Sequence, residues 1–341
     1  DIAIIGAGIA GLALAVSLQK LLIAADGAPS MSGVSFTVYE RDEHIDCRPQ
    51  GYSLTLQRNG MQVLNRLGLK SQIEQLECRC ASNYTYDSDG SVLVAFDPRL
   101  GNKKSKNIPI PRQLLRKMLY EQLDDREHLV VWNKDFKRYE TIVSSSGEEN
   151  ATTSIKVHFE DGDTVLADLV VACDGIRSKV RAQMLPQVEL NYLGVWTVNG
   201  ISHWGESTST AANTDSTTES EFKDRVFQTI DGKSRVFVKP YLPGVSMWQI
   251  TFPFSADQID EMFHQSKQYV IDRVRQEISE WKHQMVTDLI DHTPLELVRS
   301  APLFDLNPLS TWTTNRVTLI GDSCHPMSPF KGQGANNALD R

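Results

Sequence analysis

Asp1–Ile5 reads as a buried strand; Gly6–Gly11 follows with three glycines, and Leu12–Leu22 is an apolar-rich helix. A polar stretch with Gly27, Pro29 and Gly33 leads to Ser35–Tyr39, a second strand that ends at Glu40. That order predicts a βαβ unit. Further along, Ile155–Phe159, the turn Asp161-Gly162 and the run Thr164–Cys173 predict a hairpin whose second arm continues as Leu169-Val170-Val171-Ala172-Cys173, an apolar stretch suited to a strand covered on both faces. From Val226 to Phe252 the pattern becomes alternating, around Asp231-Gly232, with Arg235–Lys239 and Val245–Phe252 as further arms of an antiparallel meander. Ser255-x-x-Gln258 resembles a capping box before a helical stretch in which Ile271, Val274, Ile278 and Trp281 keep helical spacing. Strand pattern returns at Arg316–Ile320.

The sixteen residues Gly205–Ser220 include nine Ser or Thr, too little apolar surface to order a segment, and read as a mobile surface insertion, or more sharply as an active-site lid. With 341 residues the chain suffices for two domains, and 40% apolar with 23% charged residues excludes a disordered or collagen-like protein. A formal net charge of −8 gives no electrostatic reason to expect nucleic acid or anionic lipid. The longest apolar run, Ala10–Ala25, is interrupted by Ser17, Gln19 and Lys20, so no transmembrane segment is expected. Five cysteines (Cys47, Cys78, Cys80, Cys173, Cys324) with no C-x-x-C spacing indicate neither a disulfide framework nor a zinc site, and no metal is expected. A reducing, cytoplasmic setting follows as the default, and the sequons at Asn83 and Asn150 read as chance. The chain opens inside a strand without Met and stops inside a helix, which suggests further residues at both ends.

Three stretches carry chemistry. Gly6-Ala7-Gly8-Ile9-Ala10-Gly11 lies between a strand and a helix: Gly6 for the tight turn, Gly8 for close backbone approach to a pyrophosphate, Gly11 for close packing of helix on sheet. The free N–H groups at the helix start favour phosphate, and Glu40 is placed to accept hydrogen bonds from a ribose. In Asp168-Leu-Val-Val-Ala-Cys-Asp174-Gly175-Ile-Arg177-Ser178-Lys-Val-Arg181 a buried strand delivers Asp174 at its carboxyl end, where open α/β sheets bind ligands. Gly321-Asp322 also ends a strand, and Pro329, Gly332 and Gly334 follow in a loop that runs into a helix start with Asn336. His325 has no partner histidine at metal spacing and reads as loop packing.

Taken in this order, the three stretches resemble the FAD-dependent aromatic hydroxylases, the flavoprotein monooxygenase group that includes p-hydroxybenzoate hydroxylase, salicylate hydroxylase and the tetracycline-inactivating oxygenases. The resemblance spans essentially the whole chain. It implies an α/β protein with a Rossmann-type FAD-binding domain, discontinuous over 1–76, 104–186 and 300–341, and an antiparallel-sheet substrate domain over 77–103 and 187–299. It implies that Gly6, Gly8, Gly11, Glu40 and Arg41 hold the ADP half of non-covalent FAD. Arg112, in Pro111-Arg112-Gln-Leu-Leu-Arg116, resembles the arginine beside the flavin phosphates and ribityl chain, and Asp322 the carboxylate of the ribityl or pyrophosphate region. Arg48 matches an arginine near the flavin and nicotinamide approach in the tetracycline-inactivating branch, although Thr55 stands where that branch has an aspartate. Asp174 and Arg181 match positions linked to FAD placement and NAD(P)H use.

The implied activity is an NADPH- or NADH-consuming hydroxylation of a small aromatic or polycyclic organic substrate with molecular oxygen, through a flavin C4a-hydroperoxide. The flavin carries that chemistry, so no nucleophilic triad is required. Pro329, Gly332 and Gly334 are expected next to the flavin, with main-chain N–H groups near its N1 and C2 carbonyl edge. With a single G-x-G-x-x-G in the chain, the nicotinamide must dock transiently, with Arg48, Asp174 and Arg181 nearby. Trp196, Phe227, Phe237, Trp248 and Phe252 are candidate walls of the substrate pocket. A flavin-dependent halogenase is disfavoured because W-x-W-x-I-P is absent. A prenyl-chain reductase and a non-catalytic flavin-binding module remain alternatives, distinguished by oxygen uptake and by NAD(P)H oxidation.

Overall fold

The computed structural model describes residues 1–24, 33–47, 52–76, 80, 82–101, 107–143, 153–203 and 225–340. Arg48 and the 205–220 insertion lie outside the described residues.

The strand Ile2–Ile5 sits centrally in a six-stranded sheet, between Phe36–Tyr39 and Leu169–Ala172, and pairs parallel with both. Val317–Leu319 continues the parallel set beside Leu169–Ala172, Val130–Val131 closes the far edge, and Thr313–Thr314 pairs antiparallel at the other. Side chains alternate across the sheet. Ile4 and Val171 join one core with Leu12 and Val16 of the helix Ile9–Ala24 and with Leu115 and Leu119. Ala3, Ile5, Val170 and Ala172 join another core beneath the three-stranded sheet Phe136–Val143, Thr153–Phe159 and Thr164–Ala167. The central strands are thus covered on both faces, which is why their sequences are almost unbroken apolar runs.

The predicted hairpin arm Thr164–Cys173 is two strands. Thr164–Ala167 pairs with Thr153–Phe159, and after Asp168 the segment Leu169–Ala172 enters the parallel sheet. The polar Asp168 marks the crossing from one sheet to the next.

A seven-stranded sheet has the order Arg299–Asp305, Asn191–His203, Val245–Pro253, Arg235–Leu242, Arg225–Ile230, Ser82–Asp87, Val92–Phe96. Its pairing is antiparallel except where Arg225–Ile230 meets Ser82–Asp87. Arg299–Asp305 belongs to this sheet, so the chain returns to the parallel sheet after Asp305 rather than at residue 300. One face is covered by the helices Lys267–Glu277 and Gln284–Asp291, through Val270, Val274, Val286 and Leu289. Ser255 does not cap a helix; its hydroxyl bonds Asp257, and Ser266 opens the helix Lys267–Glu277 by accepting from the Tyr269 N–H at 3.1 Å. No helix among the described residues is long and apolar enough to cross a membrane.

Candidate active site

The first cavity, about 330 Å³, opens at the carboxyl ends of the parallel strands. Gly6 has φ +106°, and a Cβ there would lie 2.6 Å from the Cys173 carbonyl oxygen; one on Gly11 would lie 2.0 Å from the Gly6 carbonyl oxygen. Both glycines are dictated by internal packing. Gly8 differs: a Cβ there meets nothing within 4 Å, so its open space belongs to the cavity that it lines.

Glu40 fixes the turn from the side. One carboxylate oxygen accepts from the Ala7 N–H at 2.5 Å and the other from the Asp42 N–H at 3.1 Å. A carboxylate has about four acceptor sites, so capacity for ribose hydroxyls remains. Arg41 lines the same cavity and is exposed.

Arg116, which sequence reasoning left without a role, also lines this cavity. It is 1% exposed, donates through Nε to the Ala7 carbonyl at 2.8 Å, and lies 3.1 Å from the Asp42 carboxylate and 3.9 Å from that of Glu40. It therefore ties the glycine turn to the acidic strand end. Its spacing of four from Arg112 on the helix Arg112–Glu121 was the available signal.

Across the cavity stand Asp174 and Gly175. The Asp174 carboxyl is raised by burial; one oxygen accepts from the Val180 N–H at 3.2 Å, and the other is buried without a hydrogen-bond partner. Arg181 does not face the cavity. It is 5% exposed and spends its guanidinium on main-chain carbonyls of Ile176 and, at 2.8 Å, Ser323. Its role is to clamp the Asp174 loop to the Asp322 loop, which removes it as a direct nicotinamide contact.

A second cavity, about 460 Å³, lies between the two-stranded sheet Ser53–Leu56/Ile108–Pro111 and the open face of the seven-stranded sheet. Tyr52, Arg112 and Asp322 line both cavities and mark their junction. Arg112 donates to the Tyr52 hydroxyl at 2.5 Å, and Tyr52 and then Asp322 hold its guanidinium in the charged form. Pro329, Gly332 and Gly334 line this second cavity, and Gly332 is left-handed at φ +60°. A Cβ on Gly334 would lie 4.0 Å from an Asp322 oxygen.

Asn336 is 1% exposed, and its amide is used within the protein. Its NH₂ donates to the carbonyls of Thr55 at 2.9 Å and Gly332 at 3.0 Å, while its oxygen accepts from the Gln57 N–H at 2.9 Å. It staples the loop in place rather than reaching a ligand. Of the five aromatic wall candidates only Phe237 lines the cavity; Trp196, Phe227, Trp248 and Phe252 are fully buried on the opposite face, against the helices. Strand alternation explains this: 235, 237 and 239, like 247 and 249, face the cavity, while 236 and 238, like 248, 250 and 252, face the core.

The donor set suits a dinucleotide carrying a second ring system. An open cradle over Gly8, a buried carboxylate with spare acceptor sites, a buried unpartnered Asp174 oxygen and an arginine-carboxylate junction lie along one continuous path. Fold and site together define a flavin-binding protein with a dinucleotide sheet facing an antiparallel sheet. The profile described as FAD binding domain matches residues 1–340, so the chain belongs to that family. Among curated relatives it is 27% identical to Monooxygenase cfoF of Aspergillus candidus, over 99% of this chain and 80% of that protein. It is also 27% identical to the FAD-dependent urate hydroxylase of Mycolicibacterium vanbaalenii, over 99% and 77%. The solved structure of Klebsiella pneumoniae HpxO with FAD and uric acid shares its fold, with TM-score 0.76 and 24% identity over 99% of this chain and 77% of that one. Tetracycline destructase Tet(51) superposes with TM-score 0.67 and 20% identity, over 99% and 78%. The chain is an FAD-dependent monooxygenase, an oxidoreductase.

Proposed function

We propose that this protein hydroxylates a small aromatic or polycyclic organic compound, with NADPH or NADH as reductant and molecular oxygen as oxidant. One observation carries the reading: two cavities of different character meet at Tyr52, Arg112 and Asp322, one walled by the glycine turn, the other roofed by a sheet. FAD, when bound, supplies electron transfer from the nicotinamide and activation of oxygen. The protein's own groups do the rest. Gly8 lets the backbone approach the pyrophosphate in a turn that Gly6 and Gly11 allow to pack, Glu40 and Arg41 take the adenosine side, and Arg112 with Asp322 holds the middle of the cofactor. Asp174 offers its unpartnered oxygen to a hydroxyl or N–H donor. The loop Pro329–Gly334 presents main-chain donors toward the reacting end, and the seven-stranded sheet excludes water from it.

The test is turnover under labelled oxygen. Holoprotein screened for compounds that stimulate NADPH oxidation is expected to yield a product carrying one atom from molecular oxygen. Label from water, or product formed without oxygen, rejects hydroxylation and favours a reductase. Gly332→Val is expected to keep NADPH oxidation but divert it to hydrogen peroxide. At φ +60° a β-branched residue is strained by roughly 1–2 kcal/mol, which displaces the loop.

A further inference from the structure

Lys239 lies on the cavity face of the strand Arg235–Leu242 and is 4% exposed. Its Nζ donates to the Thr55 hydroxyl at 3.1 Å across the cavity edge, and it forms no ion pair with a carboxylate among the described residues. An ammonium has three donors and one neutral hydroxyl satisfies one, so the others are available to a ligand inside a cavity. Burying a charge without a counter-charge is costly, and the cost is recovered when an anion enters beside it.

The cavity as a whole has the matching sign. Among the described residues, Arg112, Arg235, Lys239 and Lys331 line it against one carboxylate, Asp322, in a chain whose net charge is −8. Asp322 acts on Arg112. Arg235 lies 4.9 Å from the Phe237 ring centroid and 5.7 Å from that of Phe330, with its Nε donating to Gln228 at 2.7 Å. That leaves Lys239 as the most buried of these cations that pairs with no carboxylate among the described residues.

We propose that Lys239 is a specificity-determining residue that selects a planar organic acid, bound as its anion, with the carboxylate or ionised hydroxyl oxygen on the Lys239 ammonium. The proposal rests on the reading of this cavity as the substrate site. Burial lowers the Lys239 amine to about 8, so it is mostly protonated at neutral pH and loses its charge just above it. Among the described residues, the groups beside it are Thr55 from the two-stranded sheet, Cys80, which favours the charged form, and Met247 from the adjacent strand, with Arg235 further along the same face of its own strand. Anion binding is therefore strong below about pH 8 and falls as pH rises through that value.

Binding of naphthalene-2-carboxylate and of its neutral isostere naphthalene-2-carboxamide to oxidised holoprotein, measured by calorimetry without reductant, tests this. At about pH 6.5 the acid is expected to bind about tenfold or more tightly than the amide, as a hydrogen bond to a charged group implies. Lys239→Met is expected to bring the ratio near one, and Lys239→Arg to retain the preference. In the unmodified protein the ratio is expected to fall about tenfold per unit above about pH 8. A lysine that only braces Thr55 would change stability and leave the ratio alone. A ratio near one in the unmodified protein, no acid binding, a ratio unchanged in Lys239→Met, or a flat ratio to about pH 9.5 overturns the assignment. Because the pH series needs no variant, a misfolded Lys239→Met protein still leaves the matter decided. An acid preference without oxygen incorporation keeps the Lys239 assignment and fails the hydroxylation reading.

Discussion

A Gly8→Val protein is expected to fold and melt like FAD-free wild type, yet to purify colourless and to fail to take up added FAD. The side chain costs the fold little, because a Cβ at Gly8 meets no protein atom within 4 Å. The space it fills is the approach to the first cavity, where main-chain N–H groups would otherwise contact the pyrophosphate. Each charge-assisted hydrogen bond is worth about 1.5–3 kcal/mol, so two lost bonds weaken FAD binding by roughly two to four orders of magnitude. Gly11→Ala should behave in the opposite way. Its Cβ would sit 2.0 Å from the Gly6 carbonyl oxygen, an overlap that forces helix and turn apart and lowers stability by about 1–3 kcal/mol or more, with FAD or without it. Flavin absorbance and apoprotein melting temperature, measured on both variants, separate the two roles. A yellow Gly8→Val protein would remove the glycine turn from the cofactor site.

The parts of this site that were legible in the chain are those written locally. Glu40 bonds the Ala7 N–H because a strand-turn-helix followed by a strand leaves few other places for it. What stayed hidden depends on partners far apart in sequence. Nothing near Asn336 signals that its amide meets Thr55 and Gln57, or near Arg181 that its guanidinium meets Ser323. The strand break at Asp168 was masked because apolar residues on either side serve different sheets without interruption in pattern. The wall aromatics were a matter of parity: Phe237 shares its face with Arg235 and Lys239, and the polar residues of that alternation, rather than the aromatics, mark the cavity side. Their parity could have been read from the chain. Their convergence with Thr55 could not, because it requires the two-stranded sheet to pack across the meander.

Arg116→Met is expected to cost about 3–5 kcal/mol of stability in the FAD-free protein, more than any cavity-lining substitution considered above, because it breaks a buried ion pair from one side. The guanidinium lies 3.1 Å from Asp42 and 3.9 Å from Glu40, and these two carboxylates are only 7% and 6% exposed. Methionine keeps most of the apolar stem but leaves two buried carboxylates without this cation in a site with little water. Urea denaturation of apoprotein measures the loss. The variant Asp42→Asn tests the cause: if the penalty is uncompensated charge, Arg116→Met combined with Asp42→Asn should be less destabilised than the sum of the single changes predicts, a coupling that appears only between groups in contact. FAD affinity should stay low in the double variant, since the lost bond from Arg116 Nε to the Ala7 carbonyl also frees the turn that Gly8 presents. Strict additivity would show that Arg116 stabilises the helix Arg112–Glu121 by packing alone, and full recovery of FAD affinity in the double variant would show that its bond to Ala7 is dispensable.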